Sequence, residues 1–166
     1  MTDTADPITQ QQEPADLDPT QQVVAVRIGS TEFGLPISLV REILHVPPIT
    51  RLPFPPRSVA GVVAVRGEVL PVLDLGHRLF GRPSRRDGRI VVVTEPADGD
   101  LALLVDGVVD VVPLAGKPEQ PPPEVEASLP AGWIAGVIAA DGGRLVTLLH
   151  LEPVLARSDP ADEESR

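Results

Sequence analysis

Asp74 and His77 are the two residues whose types and spacing come nearest to general acid–base chemistry. They lie three apart in the segment LDLGH, and a carboxylate near an imidazole can orient that ring for proton transfer. Neither a nucleophile nor a third orienting group stands near them in the sequence. Asp74 directly precedes a short helix predicted over residues 75–80, where its side chain can accept a hydrogen bond from a free backbone N–H. We therefore expect Asp74 to cap this helix rather than to serve catalysis.

The remaining histidines do not suggest a metal site. His45, His77 and His150 lack metal-ligand spacing, and the chain has no cysteine for a thiolate ligand or a disulfide. The glycine-rich turns lie between predicted strands, whereas phosphate-binding loops come before a helix. The sequence therefore predicts no catalytic residue, no metal and no cofactor, and we expect a protein that is not an enzyme.

Several other side chains are suited to contacts with a protein partner. Arg66 starts a tight turn, where its guanidinium can bind a partner's carboxylate, pin a neighbouring part of the fold or remain solvated. Val40 and Glu42 are two apart on an extended segment, so we expect both to face one side, an apolar contact beside a charge. Core packing is an equal alternative for Val40. Gly61 either admits a partner's helix close to the backbone or allows a β-bulge.

An internal repeat organises the elements that must position these residues. The segment VAGVVAVRGEVLPVLDL, residues 59–75, is echoed by residues 134–151 at an offset of 75 before the turn and 76 after it. Upstream, residues 33–44 lie over residues 101–112 at an offset of 68, which aligns Glu42 with Asp110. A repeat of this kind predicts two similar small units that share or abut their cores.

Short apolar runs between turn signals predict an all-β fold, a barrel or a sandwich. One hairpin is predicted over residues 62–73 and a second over residues 133–149, with further strands at residues 89–94, 101–105 and 108–112. The proline-rich residues 47–56 are predicted to form a stiff surface loop.

The chain is acidic, and the acidic residues are concentrated at its ends. Its 166 residues carry a formal net charge of −10, and residues 1–22 hold five acidic side chains without a basic one. Residues 1–22 and 157–166 are polar, so both are predicted to be disordered tails. The acidity argues against nucleic-acid binding, which relies on basic side chains meeting phosphates. No secretory signal and no apolar run of about 20 residues is visible, so we expect a cytoplasmic protein.

Taken in order, these segments resemble the CheW family of chemotaxis coupling proteins. The resemblance rests on EFGLPISLVREI, ITRLPFPP and VAGVVAVRGEVLPVLDLGHRLFG in the first half, and on LALLVDGVVDVV and WIAGVIAADGGRLVTLLHLEPVL in the second. It covers about residues 23–156. Two departures stand out: Ala64 replaces a usual Asn, and Phe54, Pro55 and Pro56 replace a run of Asn, Ala and Pro. The second departure predicts a stiffer loop with its own receptor preference.

The resemblance implies two packed five-stranded, SH3-like β-barrels around a hydrophobic seam, approximately residues 23–88 and 89–156 of one CheW-like domain. It implies a non-catalytic adaptor that links the cytoplasmic tips of chemoreceptors to the regulatory domain of a CheA-type histidine kinase. Ring assembly within receptor arrays at the membrane follows from the same resemblance.

The resemblance also assigns roles to the candidate residues. Val40 and Glu42 would border the receptor-binding groove, Arg66 would influence receptor and kinase coupling, and Gly61 would combine a bulge with a place in the groove. Trp133 is expected to fill the seam between the barrels rather than to be exposed. The five arginines from Arg78 to Arg89 are expected to form a solvated loop more readily than a phosphate-binding or acid-binding patch.

Three alternatives remain beside the chemotaxis adaptor. A CheW-like adaptor of type IV pilus motility or developmental signalling would have the same barrels and other partners. A small β-barrel enzyme or ligand carrier would need a pocket with convergent polar groups, which the spacing does not supply. A regulatory piece of the kinase itself is less favoured because the chain begins with Met1 and carries its own tails.

Overall fold

A computed structural model describes residues 22–45, 48–55, 58–85, 87–95, 99–114, 129–130 and 132–156. These residues form ten strands, two short α-helices and two 3₁₀ turns. The strands are β1 Gln22–Ile28, β2 Thr31–Pro36, β3 Val40–His45, β4 Val59–Val65, β5 Glu68–Asp74, β6 Arg89–Glu95, β7 Gly99–Val105, β8 Gly107–Pro113, β9 Ile134–Ala139 and β10 Leu145–Leu149. The helices are α1 Leu75–Phe80 and α2 Leu151–Val154, and the 3₁₀ turns are Ile37–Leu39 and Asp141–Gly143.

The predicted strands and the helix over residues 75–80 are confirmed, whereas α2 was not predicted. Apart from Gln22, which starts β1, the predicted tails lie outside the described residues, as does most of residues 115–131. Within the described part of the chain, no helix is long and apolar enough to cross a bilayer.

The strands form two five-stranded sheets, which confirms the predicted all-β architecture. One sheet has the order β8-β1-β2-β10-β9 and the other the order β3-β6-β7-β5-β4. The sequence repeat matches β2–β5 to β7–β10. Matching β1 to β6 as well, in chain order, converts the strand order of one sheet into that of the other. The two sheets are therefore related by the repeat.

Each repeat places its third strand in the sheet of the other. β3 pairs with β6, and β8 pairs with β1, both antiparallel. In each sheet a short parallel pairing, β2 with β10 or β5 with β7, joins the two hairpins. The halves at residues 23–88 and 89–156 are therefore segments of sequence similarity, and each sheet takes strands from both.

Three apolar clusters account for the burial. The β3–β7 sheet encloses one cluster, built on Val63, Val72, Ile90 and Leu104. The other sheet encloses a second, built on Val23, Ala25, Ile138 and Val146. In both sheets one face packs on itself, which makes each sheet a small barrel. The β3–β7 sheet forms the first barrel and the other sheet forms the second barrel. The third and largest cluster, called the seam cluster, joins the sheets and contains Val24, Phe33, Val91, Leu103 and Trp133.

The central strands are buried on both faces, which explains their apolar sequences. In β1, Val24 and Val26 face the seam cluster, whereas Val23 and Ala25 face the barrel interior. A strand covered on both sides loses the alternation of polar and apolar residues. The runs VVAV, IVVV and LALLV of β1, β6 and β7 follow from this arrangement.

Candidate protein-binding site

Glu42 and Arg66 form a bidentate ion pair on the surface of the β3–β7 barrel. Arg66 Nε donates to Glu42 Oε2 at 2.9 Å, and Arg66 Nη2 donates to Glu42 Oε1 at 3.2 Å. The side chain of Arg66 is 76 % exposed and that of Glu42 20 %. The structure therefore brings together two of the four predicted site residues, and most of the guanidinium stays open to a partner.

The backbone of the β4–β5 turn sets the position of this arginine. Arg66 and Gly67 have φ angles of +50° and +84°, and Val65 pairs with Glu68 across them. Two central residues with positive φ define a type I′ hairpin, whose twist matches that of the strands. The turn thus holds Arg66 at the tip of the hairpin, above β3.

The ion pair also fixes the charge of Glu42. The hydrogen bonds from Arg66, and then the positive charges of Arg66 and Arg41, lower the pKa of Glu42 below its ordinary value of 4.5. The same pairing raises the pKa of Arg66. Both groups therefore remain charged near neutral pH.

Gly61 is a point of close backbone approach. The register shifts between Val59 and Gly61, so the predicted β-bulge is observed. A Cβ atom at Gly61 would lie 2.2 Å from the carbonyl oxygen of Thr50, and φ is +148°. Thr50 and Val62 exchange two backbone hydrogen bonds of 2.9 Å. The segment after β3 thus occupies the space above Gly61, and a place for Gly61 in a partner groove stays a prediction.

The expectation that Val40 and Glu42 face the same side is wrong. Val40 pairs with Val93 and Glu42 with the adjacent Val92, because Arg41 forms a bulge between them. Neighbouring residues of β6 point to opposite faces, so their partners do too. Val40 packs against the seam cluster, as its core alternative predicted, and Glu42 reaches Arg66.

Sequence reasoning missed an ion pair in the second barrel whose acidic residue corresponds to Glu42, although its arginine does not correspond to Arg66. Arg144 binds both carboxylate oxygens of Asp110, at 3.0 and 3.2 Å through Nη2. Arg144 Nε lies 3.4 Å from Glu32 Oε1. Glu42 aligns with Asp110 at the offset of 68, so the repeat already carried the signal for the acidic half.

Exposed apolar side chains recur at equivalent sequence positions in the two repeats. Ile43 and Val111 correspond at the offset of 68, and Val69 and Leu145 correspond at 76. All four are among the exposed large hydrophobic residues of the described chain. Each barrel therefore presents the same combination, two apolar side chains and a carboxylate–arginine pair.

The residues considered for catalysis have structural roles. Asp74 caps α1 by accepting from the His77 backbone N–H at 3.1 Å, and it also accepts from the Ser84 N–H at 2.9 Å. The predicted cap is confirmed. Ser58 Oγ lies 3.1 Å from His77 Nδ1. Among the described residues, no group of three or more acidic or histidine side chains could hold a metal ion.

Trp133 lies in the seam cluster, as predicted. The guanidinium of Arg78 stands 5.1 Å from the indole centroid, while Arg78 Nε donates to the carbonyl oxygen of Val154 at 2.9 Å. Arg78 is buried, so the expectation of a solvated loop is wrong for this arginine. Arg85 fits that expectation, since it pairs with Asp87 and both side chains are largely exposed.

Comparison with known proteins gives one consistent result. Residues 22–159 match the profile of the CheW-like domain family. A probable chemotaxis protein CheW of Rhizobium etli is 34 % identical over 140 residues, 84 % of this chain and 90 % of the relative. A gliding motility regulatory protein of Myxococcus xanthus is 33 % identical over 138 residues, 81 % of this chain and 17 % of that protein. The crystal structure of scaffolding protein TtCheW from Thermoanaerobacter tengcongensis superposes with a TM-score of 0.66, at 28 % identity, over 78 % of this chain and 88 % of that one.

Proposed function

Since the chain belongs to the family of CheW-like domain proteins, we propose that it is a non-catalytic scaffold coupling chemoreceptors to a CheA-type histidine kinase in chemotaxis. The observation that carries this proposal is the family match over residues 22–159, a range that includes every described residue. We place the protein in the cytoplasm, recruited to receptor arrays at the membrane.

The geometry supports a binding role through surfaces. Both barrels carry exposed apolar side chains and a carboxylate–arginine pair, and an interface gains affinity from buried apolar area and orientation from charge. The Glu42–Arg66 pair would recognise a partner when Arg66 offers its remaining N–H groups to a carboxylate. Val40 and Gly61, the other two candidate residues, would act by holding β3 and the segment after it in place beneath this pair.

The similar sets of exposed groups on the two barrels support a ring. A contact between the first barrel of one molecule and the second barrel of the next would bring two similar faces together, and it would leave one face free at each end. Such head-to-tail contacts close into rings when the rotation allows it. The kinase's regulatory domain would enter the same ring if it carries the same faces.

A pull-down with the kinase regulatory domain and receptor tip fragments from the same genome tests the proposal. The full chain should retain both partners, and a ternary complex should sediment as a larger assembly than either pair. Failure to retain either partner at micromolar concentration would contradict the chemotaxis role. Turnover of a metabolite by the purified chain would contradict a scaffold altogether.

A second candidate is a scaffold for motility signalling of another kind. It is favoured by the similarity to the gliding motility regulatory protein, at nearly the same identity as the chemotaxis relative. The two candidates share fold and surfaces and differ in partners. Deleting the gene and scoring swimming chemotaxis against surface motility separates them, because each candidate predicts the loss of one behaviour.

A further inference from the structure

The first barrel contains an open cavity that no part of the proposed binding role uses. It measures about 440 Å³ and lies beside α1. Ser58, His77 and Leu104 contribute to its walls, and Leu52 and Pro55 of the loop before β4 form part of its rim. Ser58 is buried, and its φ of +72° is rare for a residue with a side chain.

The internal repeat shows what the second barrel has at the same place. Ser58 corresponds to Trp133 at the offset of 75. The backbone contacts correspond as well, because Asp74 N–H donates to the Ser58 carbonyl at 2.6 Å and His150 N–H donates to the Trp133 carbonyl at 2.9 Å. In the second repeat this position carries a buried aromatic ring. In the first repeat it carries a small hydroxyl next to a cavity.

An aromatic side chain nevertheless lies on the loop that borders this cavity. Phe54 lies on the same loop, next to Pro55, and its side chain is 100 % exposed. Its φ is +52°, in the left-handed region that non-glycine residues avoid. A phenyl ring fully in water, on a backbone conformation of raised energy, is unfavourable on both counts.

We propose that the cavity beside Ser58 and His77 is a binding site for an aromatic ring and that Phe54 is its occupant. Rotation of the loop backbone at Phe54 would move the ring from water into the cavity, whose lining includes His77 and Leu104. The volume is ample, since cavities of about 150 Å³ accept benzene in proteins. Phe54 then alternates between a plug for the first barrel and an exposed apolar contact next to the segment that covers Gly61.

Fluorine NMR of the full chain tests where the ring spends its time. Incorporation of 4-fluorophenylalanine labels Phe33, Phe54 and Phe80, and Phe54→Leu identifies the signal of interest. The change of its chemical shift between H₂O and D₂O reports solvent contact. We expect less than about half the change seen for free 4-fluorophenylalanine, since apolar burial favours the plugged position. A change equal to that of the free amino acid would overturn the proposal and leave the cavity to a partner's side chain.

A double-mutant cycle supplies an independent measurement. Phe54→Ala should lower the thermal midpoint by about 3 °C or more, whereas Val69→Ala, which also truncates an exposed apolar residue, should change it by about 1 °C or less. Ser58→Trp gives the first repeat the residue of the second, and in this background Phe54→Ala should have no further effect. Equal, small effects of Phe54→Ala and Val69→Ala would contradict the proposal. If Ser58→Trp fails to fold, the fluorine NMR measurement on the chain with native Ser58 still tests whether Phe54 occupies the cavity.

Discussion

Arg66 is the residue on which the proposed binding role depends most directly. It is largely exposed and touches Glu42 without filling any core. We predict that Arg66→Ala folds normally but weakens binding of the receptor tip or the kinase domain by about tenfold or more, as loss of an interface arginine does. Isothermal titration against each partner gives the affinity, and thermal unfolding gives the state of the fold.

Arg85 offers a matched control for this substitution. It makes the same bidentate contact with a carboxylate, that of Asp87, at a similar exposure, but neither residue of this pair lies on β3 or on the β4–β5 turn. Arg85→Ala should leave both affinities unchanged. If Arg66→Ala unfolds the protein, or if Arg85→Ala weakens binding to the same extent, Arg66 has no special part in recognition.

The lowered pKa of Glu42 predicts a pH dependence with a definite sign. A carboxyl group whose pKa is lower in the folded state stabilises that state above its ordinary value of 4.5, and this contribution disappears as pH falls through the folded value. The stability difference between the native chain and Glu42→Gln should therefore be constant near neutral pH and vanish in acid. An NMR titration in which Glu42 protonates at or above 4.5 would contradict the ion pair.

Predictions about single residues were correct where the local sequence determines the local structure. Asp74 caps α1 because the helix begins at the next residue, and the bulge at Gly61 is marked by a glycine within an apolar strand. The prediction that Val40 and Glu42 face one side was wrong because the residue types around Arg41 give no sign of the bulge there. The binding roles of Val40, Glu42, Gly61 and Arg66 stay predictions.

At the level of elements, the close approach at Gly61 predicts a strong effect of a single methyl group. In Gly61→Ala the new Cβ would collide with the Thr50 carbonyl, so the segment after β3 must move away from β4. We expect a loss of about 2–4 kcal/mol of unfolding free energy. Chemical denaturation measures it. Gly67→Ala is the control, because Gly67 also has positive φ but nothing lies within 4 Å of its Cβ position. Equal losses for both substitutions would show that backbone strain alone is responsible.

The strands could be predicted from the sequence, but their partners could not. β4 and β5 were recognisable as a hairpin because a two-residue turn joins them. β3 and β8 carry no such mark, since the pattern of a strand specifies which face is buried and not which strand lies beside it. Their exchange between sheets became visible only in three dimensions.

For the whole molecule, the exchange of β3 and β8 predicts that the repeats fold together or not at all. A fragment of residues 1–88 lacks β6, the partner of β3, and a fragment of residues 89–166 lacks β1, the partner of β8. We expect each fragment alone to give an unfolded NMR spectrum and the mixture to give the native one. A folded spectrum from either fragment alone would contradict a shared folding unit.

The exchanged third strands also suggest how the molecule arose. A single repeat could not complete its own barrel, yet two identical copies that traded this strand would have formed a closed homodimer with a two-fold axis through the seam. Joining two such genes end to end preserves every pairing and lets the halves diverge. On this view, Trp133 and Ser58 descend from one ancestral position, and they could diverge once a single polypeptide contained both copies.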